Sequence, residues 1–105
     1  MNVATLPVDR ADAMRREFCK GLAGIPEHLR EPMTNYFEHG IMPGHFLQRC
    51  LQNELTAILH AGPATIMHIP AIVSFIFDYL PSDAWGSYRK VCAWRDQNGI
   101  RGIYR

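Results

Sequence analysis

The sequence predicts an all-α domain, a small bundle of four main helices plus a short extra helical turn, built around a central apolar helix. Three observations carry this. Apolar residues from Phe46 to Leu59 recur at i, i+3, i+4 and i+7, the signature of one buried helix face. The stretch from Ile66 to Leu80 is apolar nearly all round, as a helix in the middle of a bundle is. No alternating strands flank a hairpin turn, because Asn98-Gly99 follows a helical pattern.

Each element has its own local reason. Residues 1–8 read as a loose arm. Asp9 to Lys20 forms a charged helix with Ala11, Met14, Phe18 and Leu22 on its apolar side, ended by Gly21 and Gly24. Pro26 opens a short turn over 26–30. Pro32 would remove the helix bond to His28, so a separate helix is expected at about 32–39, with Leu29, Met33, Tyr36 and Phe37 on one face and Gly40 as its cap. The third helix runs from about Pro43 to His60 and is stopped by Gly62-Pro63. The fourth runs from about Thr65 to Leu80, starting nearer His68 or bending at Pro70, and Pro81 ends it. Ser82 or Ser87 caps a last helix carrying Trp85, Tyr88, Val91, Cys92 and Trp94, which Asn98-Gly99 terminates. A basic tail follows at about 99–105. The expected core is Phe46, Leu47, Leu51, Leu55, Ile58, Ile72, Phe75, Ile76, Leu80 and Trp85.

A chain of 105 residues makes one domain, 1–105. Hydrophobic residues at 48% and charged residues at 20% are the balance of an ordinary folded domain. A net charge of +1 supplies no global field for nucleic acid or an acidic ligand. Cys19, Cys50 and Cys92 are odd in number and none stands in a Cys-x-x-Cys spacing, so a reducing, cytoplasmic setting is expected. The N-terminus lacks a basic region followed by an apolar run, so no secretory leader is expected. His68, Pro70, Ser74 and Asp78 interrupt the longest apolar stretch, which falls short of the ~20 residues a spanning helix needs. No membrane role is expected.

Tyr36, then Gly40-x-x-Pro43-Gly44-x-Phe46-Leu47-x-x-x-Leu51-x-Asn53-x-Leu55, then Pro81-x-x-x-Trp85-Gly86-Ser87-x-x-x-Val91-x-x-Trp94 form an ordered series over residues 25–95. In order and spacing this series resembles a family of short proteins encoded in tailed-phage and prophage genomes. That family often has an aspartate at the position of Glu54 and an acidic, asparagine-bearing stretch at 61–65, which this chain lacks. The resemblance implies a phage origin, a small helical fold and a setting in the host cytoplasm. It favours an accessory role, binding and blocking host or defence machinery. Much of the motif also reads as architecture. Gly40 supplies a left-handed cap, Pro43 presets a helical first turn, and Gly44 lets another backbone or ring approach closely.

No residue pattern points to catalysis. His28, His39, His45, His60 and His68 include no His-x-x-x-His pair, and no metal site is expected. Cys50 lies on an apolar stripe, where a thiol behaves as a small hydrophobe. Cys92 lies beside Arg89 and Lys90 and is a weak candidate nucleophile. Glu27 and Glu31, one turn apart, suit a helix start. Gly40-x-x-x-Gly44 has no following Lys-Ser/Thr to cradle phosphate. No cofactor is expected, and the protein is read as a non-enzyme.

Charge is uneven along the chain. Residues 26–80 carry a net charge of −3 and residues 81–105 a net charge of +3. The basic part interleaves cations with aromatic rings, so Tyr88, Arg89, Lys90, Trp94, Arg95, Arg101 and Tyr104 are the candidate partner-binding residues. A protein partner is the first expectation. Nucleic acid bound through the same basic and aromatic residues is the alternative. Helix four is too apolar to be a DNA-reading helix. Its surplus apolar surface makes a homo-oligomer a further expectation.

Overall fold

The computed structural model describes residues 5–54 and 66–103. Every regular element among them is helical, and the all-α bundle stands as the sequence predicts. The elements are α1 (Thr5–Leu22), α2 (Glu27–His39), α3 (His45–Leu51), α4 (Ile69–Tyr79), a 3-10 turn (Ser82–Ala84), α5 (Tyr88–Asp96) and α6 (Gly99–Ile103).

α1 begins at Thr5, so residues 5–8 are helical and not part of a loose arm. Pro7 is compatible with this, because the first N–H groups of a helix have no intrahelical acceptor. The helix runs through Gly21, where the Tyr79 ring fills the space a side chain would need. That contact packs α1 against α4.

α2 is one continuous helix, not a turn followed by a second helix at 32–39. Pro32 removes one bond near the exposed start, where the His28 residue stands in solvent. The cost is met further along, where Met33, Tyr36 and Phe37 are buried. The Arg30 guanidinium donates to the carbonyls of Ile25 (3.1 Å) and Ala23 (3.2 Å) and fixes the preceding turn. Gly40 ends α2 in the left-handed region at φ 71°, donating its N–H to the Tyr36 carbonyl at 2.9 Å.

α3 stops at Leu51, well short of the expected His60. Asn53 takes φ 61°, the Asn53 N–H donates to Cys50 O and the Glu54 N–H donates to Arg49 O, a Schellman closure. The Leu51 carbonyl accepts from the Gly86 N–H at 2.7 Å, a partner supplied from 35 positions along by numbering. A periodic apolar pattern carries no trace of such a long-range bond. Leu55, Ile58 and the Gly62-Pro63 stop lie outside the described residues.

α4 starts at Ile69, with Pro70 in its first turn. It buries one stripe, Ile72, Phe75 and Ile76, while Val73 and Phe77 lie on the surface. The deepest side chains include those of α2. Of the two candidate caps, Ser87 caps α5, its hydroxyl accepting from the Lys90 N–H at 3.2 Å. Trp85 precedes this helix and is not carried on it. Of the stretch expected to be a basic tail, Gly99–Ile103 folds as α6, with Ile100 fully buried.

The core is a column of aromatic rings from four helices. Phe18 stacks on Phe37 with centroids 4.2 Å apart, Phe75 meets Phe18 edge-on at 5.3 Å, and Trp94 lies 6.2 Å from Phe37. Such pairs add about 0.5–1.5 kcal/mol each beyond their burial. Two of the polar groups buried in the column are paired within its wall. The Tyr36 hydroxyl donates to Ala84 O at 2.6 Å, and the Trp94 indole N–H donates to Tyr36 O at 3.0 Å. Burial lifts the Tyr36 phenol well above its ordinary pKa, so it remains a donor.

Glu38 ties three helices together. It accepts from Arg15 of α1 at 2.7 Å and from Arg101 of α6 at 2.9 Å. Burial alone would raise its carboxyl, but the two arginines outweigh that and hold it below its ordinary value. A carboxyl depressed in the folded state stabilises above the unfolded value, near ~4.3, and loses that contribution as the pH falls through the lower folded value. Glu38→Gln is therefore expected to cost stability at pH 7 by no more than about 1 kcal/mol per arginine, both being substantially solvated. The difference should shrink in urea titrations taken at successively lower pH once the pH is below the unfolded value of ~4.3. A difference independent of pH would contradict the assignment.

Candidate interaction surface

The basic and aromatic set divides on folding. Tyr88, Arg89 and Lys90 are exposed at the start of α5. Lys90 donates to the Ser82 carbonyl at 3.3 Å, and Arg95 pairs with the neighbouring Asp96 at 3.0 Å. Arg101 is engaged by Glu38. Trp94 is 1% exposed and belongs to the core, so it is not a surface contact. Its ring was readable as a stacking group only because aromatic residues among cations look alike whether buried or exposed. Tyr104 lies outside the described residues. A hydrogen bond with the Cys92 thiol raises the exposed Tyr88 phenol, which stays neutral.

A different surface stands out. Ile69, Val73 and Phe77 form the outward flank of α4, and they face Cys50 and Asn53 at the end of α3 and the ring of Trp85. Together they bound a groove of about 270 Å³ with no charged residue in its lining. Phe77 is 71% exposed and Val73 46%. The Phe77 and Trp85 rings meet at 62° with centroids 6.0 Å apart. Trp85 is held there by the residue after it. Gly86 sits at φ 116°, a conformation L side chains avoid, and donates to the Leu51 carbonyl that closes α3. The Trp85 indole N–H is shielded and has no acceptor among the described residues. Burial pushes the Cys50 thiol up to about 11, so it forms a neutral, apolar wall and no thiolate.

Neither Val73 nor Phe77 was singled out from the sequence. The signal was present as an α4 segment apolar on every side, more than one small core covers, but it did not say which side faces out. Among the described residues no three metal-ligating side chains come together, and no helix is long and apolar enough to cross a membrane.

Comparisons of the chain with protein-family models, with curated proteins and with solved structures find no match.

Proposed function

We propose that this chain is a non-enzymatic protein-binding domain whose partner seats an apolar side chain in the groove of Val73, Phe77 and Trp85. The observation that carries the reading is the exposure of Phe77 (71%) on the rim of an uncharged concavity. A volume of about 270 Å³ holds roughly nine waters, or one large apolar side chain that displaces them. Seating such a side chain contributes about 1.5–3 kcal/mol. Aromatic anchors in desolvated pockets commonly dominate interface energetics. The nucleic-acid alternative loses its main stacking ring, since Trp94 lies in the core. Following the resemblance to short tailed-phage proteins, the partner is a host or defence-system protein and the outcome of binding is inhibition.

Phe77→Ser tests this. The side chain is 71% exposed and its aromatic contact is the Trp85 ring, so stability should fall by no more than about 1.5 kcal/mol. Affinity capture from bacterial lysate should return a partner with the native chain and with Arg89→Ala. With Phe77→Ser the yield should fall by about tenfold or more. Equal recovery by Phe77→Ser and the native chain, at matched folding, overturns the reading.

A further inference from the structure

The motif Gly40-x-x-Pro43-Gly44 leaves a feature that packing does not explain. Ile41 is 56% exposed on a short irregular segment between α2 and α3. No neighbour lies within reach of a side chain built at Gly44, so close approach, which occurs at Gly40, is not what Gly44 provides. The segment instead forms one wall of a slot of about 410 Å³. That wall is apolar, made by Ile41, Met42 and Pro43. The α2 side carries Glu27, Glu31 and Asn35, with His28 and Pro32 beside them.

Residues four apart on a helix lie on one face with Cβ atoms about 5–6 Å apart. The two residues therefore share one side of the slot. Both are exposed, and neither is ion-paired among the described residues. No lysine or arginine lines the slot; His28 borders it. The positive end of the α2 dipole opposes a cation only over the first turn, and Glu31 and Asn35 lie beyond it. One wall that accepts hydrogen bonds and carries negative charge, facing one wall of aliphatic surface, matches a guanidinium on an aliphatic stem.

We infer that the slot between α2 and the Ile41–Gly44 segment binds an arginine side chain of a protein partner, with its head between Glu27 and Glu31 and its stem along Ile41 and Met42. Charge complementarity selects this occupant. A second copy paired symmetrically across the slot would oppose carboxylate to carboxylate. The slot adjoins the start of α3 and the apolar groove its end, about 10 Å apart by helical rise. The inference does not depend on the apolar groove being occupied.

The test is a titration of the nitrogen-15-labelled 105-residue chain with acetyl-Leu-Arg-Leu-amide, followed by amide NMR. A matched peptide with citrulline in place of arginine keeps the shape and removes the charge. The arginine peptide should shift the amides of Glu31, Asn35, Ile41 and Met42 in a saturable way. Binding should weaken about tenfold or more with the citrulline peptide, the scale of one lost charged hydrogen bond. The same loss is expected for Glu27→Gln/Glu31→Gln, checked by an unchanged fold in the spectrum. Phe77→Ser should bind the arginine peptide like the native chain, which separates this site from the apolar groove. Equal affinity for the two peptides, or no saturation at millimolar arginine peptide, overturns the inference. So does self-association abolished by Glu31→Gln, which assigns the slot to a second copy.

Discussion

Gly99→Ala is expected to destabilise the domain by about 3 kcal/mol and lower Tm by roughly 15 °C. Two effects add. Gly99 sits at φ 69°, and the left-handed region costs an L side chain about 1–2 kcal/mol. A Cβ there would also lie 2.6 Å from the Gly40 backbone nitrogen and 2.7 Å from the carbonyl of Glu38. Those atoms belong to the end of α2, which is fixed by the buried Tyr36 and Phe37. The neighbour cannot rotate away as a flexible side chain would. Gly44→Ala is the matched control. Gly44 has φ −59° and open space where a Cβ would go, so its replacement should change stability by less than about 1 kcal/mol. Thermal melts of the two variants measure the contrast. Equal melting would show that α6 does not pack on α2 as described.

Trp94→Ala is expected to cost about 3–5 kcal/mol, a large part of the ~5–15 kcal/mol available to a domain of this size. The ring closes the aromatic column next to Phe37 and is almost fully enclosed. The cost comes mainly from the cavity. The Tyr36 carbonyl that loses the indole N–H keeps its bond from Gly40. Trp94→Phe preserves most of the packing and loses one hydrogen bond, so it should cost about 1–2 kcal/mol. Urea unfolding of both variants tests the order. A Trp94→Ala variant with native stability and lost partner binding would return this residue to the surface role that the sequence suggests.

What local chemistry specifies was legible, and what distant residues decide was not. Gly40 at the end of α2 and Ser87 at the start of α5 act through bonds to their own neighbours; the sequence shows the first and narrows the second to Ser82 or Ser87. The end of α3 depends on Gly86, which takes the Leu51 carbonyl, so a helix pattern that runs on to Leu59 overstates it. Continuity of α2 through Pro32 depends on three buried side chains outweighing one lost bond. Asn98-Gly99 reads correctly as a stop. Both residues take positive φ, and the chain turns there and starts α6 where a tail was expected. Close backbone approach was expected at Gly44 and occurs at Gly40 and Gly99. The site followed the same division. Composition flagged cations and rings in residues 81–105, but only packing shows that Trp94 is enclosed and Phe77 is not.

The clasp of α6 on α2 also sets a schedule for synthesis. Glu38 and Arg101 are 63 positions apart. At about 5–20 residues per second, a ribosome needs roughly 3–13 s to deliver the second after the first. Through that interval the face of α2 that receives Ile100 waits uncovered in the growing polypeptide. The nascent chain thus carries an open greasy seam for most of its translation, and holdase chaperones that recognise such seams have their opportunity before the last helix arrives.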